Sequence, residues 1–190
     1  ETLLVTDTVS GLAGMNFQMD AWGVDVAVAG SQKALMCPPG LGLITASEKA
    51  WRVIRRDTGA ARFFLDLRRA QDSHAKGEST FTPAIPLIYG LDTALDMIEE
   101  EGFANVLARH RRLSLGMKAG AAALGLANFA RADVQSNTVA CFHVPEGLDG
   151  TALIRRLYER HRTVIAGARN RLQGKLIRIG TMGAIGEGDI

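Results

Sequence analysis

Apolar residues near the start of the chain form three short runs that are typical of buried strands. The runs TLLVTDTV, VDVAVAG and LGLITAS occupy positions 2–9, 24–30 and 41–47. They are separated by segments that contain Gly or Pro, as strands of mixed or parallel sheets tend to be. The pattern therefore predicts a sheet in the first quarter of the chain.

Two longer segments carry apolar residues at helical spacing. The first begins at Pro83, ends in acidic residues before Gly102, and repeats apolar residues every three or four positions: Ile85, Ile88, Leu91, Leu95 and Ile98. The second covers 103–126 and places one set of residues on a single face: Val106, His110, Leu113, Met117 and Leu124. This periodicity predicts two consecutive helices, and we expect the acids before Gly102 to form a solvated helix surface.

The rest of the chain alternates shorter elements. The pattern predicts a strand, a helix and two further strands, at 137–144, 149–161, 162–167 and 175–180. Asp149 is the expected N-cap of that helix. This order suits a small α+β domain beside the first one, so we place the domain boundary at Gly102, with domains 1–102 and 103–190. The basic and polar stretch 67–80 is expected to be a solvated surface connection.

Composition excludes several classes of protein. The 190 residues are 47% hydrophobic and 22% charged, and the net charge of +2 is spread over segments of mixed sign. Such a balance lacks the concentrated basic surface that nucleic acids require, so we expect no nucleic-acid partner. No apolar run approaches the roughly 20 residues of a membrane helix, so we expect no membrane association.

The cysteines and histidines also narrow the possibilities. Cys37 and Cys141 lie far apart and form no paired motif, which indicates neither a disulfide framework nor a zinc site. The four histidines lack the spacing of metal ligands. We therefore expect no metal and a reducing, cytoplasmic location.

One lysine stands out between two predicted strands. Lys33 follows Gly30 and Ser31 and precedes a Pro-Pro-Gly turn. It therefore lies between the ends of two predicted strands, and in α/β folds such strand ends open into a ligand crevice. Asp7 ends the first predicted strand, and neighbouring strands would bring both residues to one edge of the sheet. A lysine that forms a Schiff base and an aspartate that pairs with a pyridinium nitrogen are the groups on which pyridoxal phosphate most depends. The alternative is an ordinary lysine that reaches water at a strand end.

Three motifs in this order carry a resemblance to a known family. The sequence TDTVSGLAG at 6–14, MDAWGVDV at 19–26 and GSQKAL at 30–35, followed by PPGL, resembles the class V aminotransferases, specifically the alanine–glyoxylate and serine–glyoxylate branch. The resemblance covers essentially the whole chain. It implies an α/β fold, the C-terminal part of a fold-type I transferase large domain with a mixed, mostly parallel sheet, followed by a small α+β domain that is incomplete here.

The resemblance also implies roles for individual residues in a pyridoxal phosphate site. Lys33 would be the catalytic residue that holds the cofactor as a Schiff base, and Asp7 would bind its ring nitrogen. Val9 would pack on the ring face, and Gln32 would lie near the phosphate.

Two further roles come from the resemblance. Thr82 matches the threonine that reaches the phosphate of the partner subunit's cofactor, which implies a homodimer with shared active sites. Arg178 matches the arginine that takes the substrate α-carboxylate. Three plainer interpretations stay open: Asp7 as a turn residue, Thr82 as a helix cap, and Arg178 as a surface residue on an edge strand.

The implied activity is transfer of an amino group from a small amino acid, alanine or serine, to a 2-oxo acid such as glyoxylate. Family members run to about twice this length, so we expect the chain alone to bind the cofactor poorly and to be inactive. One alternative is a lyase of the same fold, such as a cysteine desulfurase, although those carry His where this chain has Gln32, and Cys141 lies in a predicted strand. A non-catalytic fragment is the other alternative.

Overall fold

The computed structural model describes residues 2–56, 59 and 61–190, and these form two compact units. The first unit consists of Glu1–Val9 and Phe17–Asp96, and the second consists of Ser10–Asn16 and Met97–Ile190. The domain boundary at Gly102 stays a prediction. In the described part of the chain, no helix combines the length and the hydropathy that a bilayer crossing requires.

The first unit contains a three-stranded mixed sheet in the order β1-β2-β3. The strands are β1 (Val5–Asp7), β2 (Val26–Gly30) and β3 (Gly42–Ala46), one within each predicted run. β1 pairs with β2 in parallel, with Asp7 opposite Val28, whereas β3 runs antiparallel to β2. The predicted mixed sheet is confirmed, and within this chain it has one parallel and one antiparallel pairing.

A buried aspartate fixes one end of this sheet. The carboxylate of Asp25 accepts hydrogen bonds from the backbone N–H of Leu4 at 2.9 Å and from the hydroxyl of Ser47 at 3.0 Å, and it pairs with Lys49 Nζ at 2.9 Å. These bonds, led by that of Leu4, lower the pKa of Asp25. Asp25 therefore joins β1 and β2 to the segment that follows β3.

Three helices follow the sheet: α1 (Glu48–Arg56), α2 (Leu67–His74) and α3 (Ile85–Glu101). The segment 67–80, expected to be a solvated surface connection, begins with α2. Asp66 caps this helix by accepting a hydrogen bond from the backbone N–H of Arg68 at 3.0 Å. No residue of α2 is buried, so the helix lacks the apolar stripe by which helices are found in sequences.

Helix α3 forms where the spacing predicts it, but its apolar face is not buried as a whole. Ile98 is buried, whereas Ile85, Ile88 and Leu95 are exposed in the described structure. A periodic pattern establishes the helix, and the neighbouring elements decide which part of the face is covered.

The second unit packs helices α4 (Phe103–Ala123) and α5 (Gly150–His161) with a three-stranded antiparallel sheet. Its strands are β4 (Val139–His143), β5 (Ala166–Gly167) and β6 (Leu176–Gly180), and the order is β4-β6-β5. Short 3-10 turns lie at Ala132–Val134, Asn170–Leu172 and Glu187–Asp189. One buried apolar cluster of this unit consists of Ala121, Ala140, Phe142 and Ile177.

The helix ends of this unit follow local chemistry. Asp149 caps α5 as predicted, because its carboxylate accepts the Thr151 N–H at 2.9 Å. The predicted strand at 162–167 is reduced to the two residues of β5, since Arg162 adopts a left-handed conformation with φ 55° at the end of α5. The prediction that Leu124 shares a helix face with Val106 is wrong, because α4 ends at Ala123 and Leu124, beyond its end, is 81% exposed.

Candidate active site

The parallel pairing of β1 and β2 brings their carboxyl ends to one edge of the sheet. Asp7 is the last residue of β1, and Lys33 lies three residues beyond the end of β2. Thr8 joins the two strand ends, because its backbone N–H and its hydroxyl both donate to the Val28 carbonyl at 2.8 Å. A carboxylate and an amine are thus carried by adjacent strand ends, the position at which α/β folds bind ligands.

The carboxylate of Asp7 is exposed and held by a tight turn. Its Oδ1 accepts a hydrogen bond from the backbone N–H of Val9 at 2.8 Å. Its Oδ2 has no hydrogen bond within the described residues. Asp7 is therefore a turn residue and also presents a carboxylate oxygen that a ligand can reach.

A single buried serine closes the loop that carries Lys33. Ser31 is fully buried, its hydroxyl donates to the Pro38 carbonyl at 2.7 Å, and the N–H of Leu41 donates to the same hydroxyl at 3.3 Å. The Ser31 backbone also bonds to Leu41 and to Cys37. The start of the loop at Ser31 is thus hydrogen-bonded to its far end at Pro38 and Leu41. These bonds hold the backbone of the loop that carries Lys33.

Lys33 lies on a tight turn between buried neighbours. The N–H of Met36 donates to the Lys33 carbonyl at 2.9 Å, and Met36 takes a left-handed conformation with φ 63°. Ala34 and Leu35 are buried, whereas Lys33 is half-buried. Its amine has neither a hydrogen bond nor an ion pair within the described residues, so no carboxylate neutralises it in the first unit.

Gln32 and Val9, the other two predicted cofactor contacts of this unit, flank these groups. Gln32 is exposed, and its side-chain amide folds back over Gly30, where an added Cβ would lie 2.6 Å from the Gln32 Oε1 atom. Val9 directly follows the turn of Asp7 and is half-buried. A side chain at position 30 would therefore displace the Gln32 amide from this place.

Thr82 precedes α3 in the same unit. It is exposed and makes no side-chain hydrogen bond within the described residues, so the structure gives no support to a capping role. The first turn of α3 packs on the Lys33 loop, because Leu87 Cδ1 occupies the space that a Cβ at Gly40 would fill. This contact sets the place of the segment that carries Thr82 relative to the loop.

Arg178 belongs to the second unit and lies at the middle of β6. Because β6 is the central strand of its sheet, the alternative of an edge-strand residue is wrong. Arg178 stands opposite Cys141 and Ala166, and its Nε donates to the Gly167 carbonyl at 3.0 Å. Arg178 is one of the residues that line a cavity of about 370 Å³.

Sequence reasoning missed a polar network that holds the backbone after β6. Glu101 forms a two-point pair with Arg109 at 2.7 and 2.8 Å, and Arg109 Nη1 donates to the carbonyls of Gly183 and Ile185 at 2.9 and 3.0 Å. The expectation that the acids before Gly102 form only a solvated surface is therefore wrong for Glu101. Hydrogen bonding with Arg109 lowers the pKa of Glu101 and raises that of Arg109.

A buried histidine completes this network. His110 Nδ1 lies 2.8 Å from the Val106 carbonyl, and the N–H of Gly183 donates to His110 Nε2 at 3.0 Å. The two contacts assign the proton to Nδ1 of a neutral ring. Burial lowers the pKa of His110, which favours that neutral form.

The comparison with protein families shows which family this α/β chain belongs to. The family model described as aminotransferase class-V matches residues 1–175, so the chain belongs to that family. Class V aminotransferases are pyridoxal phosphate enzymes of fold-type I.

Individual relatives point the same way. The chain is 40% identical over 187 residues to a serine–glyoxylate aminotransferase of Arabidopsis thaliana, covering 97% of this chain and 46% of the relative. It is 37% identical over 184 residues to an L-aspartate–glyoxylate aminotransferase of Paracoccus denitrificans, covering 96% and 46%. The crystal structure of an alanine–glyoxylate aminotransferase from Nostoc sp. superposes with a TM-score of 0.92 at 34% identity, covering 96% and 49%. The fold is thereby confirmed, and the chain spans about half the length of the relatives it matches.

The chemistry of the strand-end residues fits pyridoxal phosphate. An aldehyde requires an amine that is not held in an ion pair, and the amine of Lys33 has none within the described residues. A pyridinium nitrogen requires a carboxylate oxygen, and Asp7 presents one. The assignments of Lys33, Asp7, Val9, Gln32, Thr82 and Arg178 stay predictions.

Proposed function

We propose that the whole protein is an aminotransferase that uses pyridoxal phosphate and moves an amino group from a small amino acid, alanine or serine, to a 2-oxo acid such as glyoxylate. The donor leaves as its own 2-oxo acid, and the acceptor leaves as the corresponding amino acid. The observation that carries this proposal is the unpaired amine of Lys33 on a tight turn beside the strand end of Asp7. Because the chain spans half of its relatives, the activity is proposed for the whole protein.

Asp7 is proposed to bind the ring nitrogen of the cofactor. Bound pyridoxal phosphate supplies an electron sink for the charge that develops at the substrate α-carbon. An ionised carboxylate at Asp7 Oδ2 keeps a positive charge on the ring nitrogen favourable, and the hydrogen bond from Val9 to Oδ1 holds the carboxylate in place. In the same proposal, Val9 contacts the ring face, Gln32 lies toward the phosphate, and Thr82 reaches the partner subunit's phosphate.

Lys33 is proposed as the cofactor anchor and as the proton carrier. As a general base, its Nζ would take the proton from the substrate α-carbon, and as a general acid it would then deliver that proton to the C4′ carbon of the cofactor in the same half-reaction. The loop fastened by Ser31 supports this role, because a base must be held within hydrogen-bond reach of the proton that it moves.

Arg178 is proposed to bind the substrate α-carboxylate. Its Nε is already used by the Gly167 carbonyl, which orients the guanidinium and leaves the two terminal nitrogens for a carboxylate. The planar fork of arginine suits this two-point contact better than a lysine amine does.

The relatives support glyoxylate as the acceptor, because serine–glyoxylate, L-aspartate–glyoxylate and alanine–glyoxylate aminotransferases share it in their names and differ in the donor. We propose further that the protein works in the cytoplasm as a homodimer with shared active sites. A desulfurase mechanism is less well supported, because Cys37 is buried and burial raises the pKa of Cys141, the reverse of what an attacking thiolate requires.

A screen of amino donors and oxo acceptors with the whole protein tests the proposal. We expect transfer from alanine or serine to glyoxylate, complete loss of transfer in Lys33→Ala, and normal transfer in the control Lys76→Ala, which removes an exposed lysine. Full transfer by Lys33→Ala, or no transfer by the native protein with any of these pairs, would contradict the proposed function.

A further inference from the structure

The second unit contains a cavity with two arginines in its wall. The cavity has a volume of about 370 Å³ and lies between the start of α5, the turn after β5 and the strand β6. Arg169 and Arg178 both line it, and the described residues of the wall include no carboxylate. The volume falls within the roughly 300 to 1,000 Å³ that ligand sites occupy.

Both arginines are associated with the short turn that follows β5. Arg178 Nε is bound to the Gly167 carbonyl, and Arg169 follows Gly167 by two residues. Neither terminal nitrogen of Arg178 has a partner among the described residues, and Arg169 has no hydrogen bond or ion pair there. Arg169 is exposed and Arg178 is half-buried, and two arginines in one cavity wall favour the binding of an anion.

The remaining wall supplies both polar and apolar surface. Thr151 and Gln173 add a hydroxyl and an amide, whereas Ile154 and Leu176 add apolar surface. This combination suits a short carbon chain with a polar group at each end. A single arginine is sufficient for the one carboxylate of alanine or serine, so the second arginine calls for a second acidic group.

We propose that Arg169 is a specificity-determining residue, which binds the distal carboxylate of a short dicarboxylic amino donor while Arg178 binds the α-carboxylate. This inference rests on the proposed function and adds an acidic amino acid to the alanine and serine that are proposed there as donors. The corresponding 2-oxo dicarboxylic acid, which leaves after the amino group has moved, retains both contacts.

Binding of unreactive acids to the whole protein tests the inference without catalysis. Succinate and butyrate share a four-carbon chain and differ by one carboxylate, so calorimetric titration with each isolates the second acidic group. A charge-assisted hydrogen bond predicts that succinate binds about 10- to 100-fold more tightly than butyrate. Arg169→Gln is expected to remove that preference, whereas Arg171→Gln, which changes an exposed arginine outside the cavity wall, is expected to retain it.

Steady-state kinetics provides the second measurement. In Arg169→Gln we expect kcat/KM for aspartate to fall by about 10-fold or more, and kcat/KM for alanine to change by less than about twofold. Arg169→Lys keeps the positive charge but lacks the planar guanidinium. We expect its kcat/KM for aspartate to lie between the values of the native protein and Arg169→Gln.

Failure of the inference differs from failure of the proposed function. The role of Arg169 would be overturned if the native protein bound succinate and butyrate with equal affinity. It would also be overturned if Arg169→Gln lowered kcat/KM for aspartate and for alanine by the same factor. Absence of transfer from every donor would overturn the proposed function, and the succinate titration would still decide whether the cavity recognises a second carboxylate.

Discussion

Acidification is expected to release the backbone after β6 by protonating His110. The ring is 1% exposed, and its Nε2 accepts the N–H of Gly183 at 3.0 Å. Burial is the main cause that lowers the pKa of His110 below 6.5; the charge of Arg109 lowers it further, and the Val106 carbonyl and Glu101 oppose the shift. Because the folded pKa lies below the unfolded value, the stabilising contribution is complete above pH 6.5 and is lost as the pH falls below it.

The magnitude follows from proton linkage. Between pH 6.5 and the folded pKa, the state in which the Gly183 N–H is bonded to His110 loses at most about 1.4 kcal/mol of stability per pH unit. This loss is a factor of about 10 in the population of that state. Hydrogen exchange of the Gly183 amide, corrected for the intrinsic effect of pH, should therefore show protection that falls between pH 6.5 and pH 5. Glu101 does not titrate in this range, because its pKa is lowered in the folded state from the value of 4.5 that is usual for a glutamate side chain.

His110→Gln provides the matched control, because glutamine does not titrate in this range. We expect the corrected protection of Gly183 in this variant to be independent of pH between 7 and 5. A flat profile in the native protein, or the same slope in both proteins, would refute the assignment of His110 as the neutral acceptor.

Two further predictions concern stability and cofactor uptake in the whole protein. Ser31→Ala removes the bonds to Pro38 and Leu41, so we expect a loss of about 1–3 kcal/mol in urea unfolding and weaker cofactor incorporation; native-like values, equal to those of the exposed control Ser79→Ala, would show that Ser31 does not hold the loop. Phe142→Ala removes a core ring that is 1% exposed, so we expect a loss of about 3–5 kcal/mol in the same measurement, and a loss below about 1 kcal/mol would contradict the assigned core.

The sequence predicts best where local pattern and local chemistry agree. Each β-branched run near the start contains a strand, and Asp149 caps α5 as its position suggests. Helix α2 escapes prediction because none of its residues is buried, so no apolar stripe marks it; Asp66 at its start is its main local signal. An element is predicted from the sequence when its own residues carry the pattern and the cap that stabilise it, and it is missed when they do not.

Hydrogen bonds between residues far apart in the sequence cannot be predicted from the pattern of apolar and polar positions. The bond from Gly183 to His110 joins residues 73 positions apart, and Arg109 reaches Gly183 and Ile185 over similar separations. Periodicity shows that His110 lies on the buried face of a helix, but it does not show which backbone group its ring accepts.

The residues of the candidate site also differ in how far the sequence alone indicates them. Lys33 and Asp7 become candidates from the sequence alone, because strand ends, glycine and a proline-rich turn are visible there. Arg178 is found through the resemblance, which points to its position in the strand. Arg169 is a different case, because it becomes a candidate only when the fold places it in one cavity wall with Arg178.

Chemical trapping of the cofactor on the whole protein tests the central claim most directly. Reduction with borohydride in the presence of pyridoxal phosphate, followed by peptide mass spectrometry, locates the lysine that carries the cofactor. We predict one pyridoxyl group per chain on Lys33, and none in Lys33→Ala. A pyridoxyl group on another lysine, or no stoichiometric labelling of the native protein, would contradict the assignment of Lys33 as the cofactor anchor.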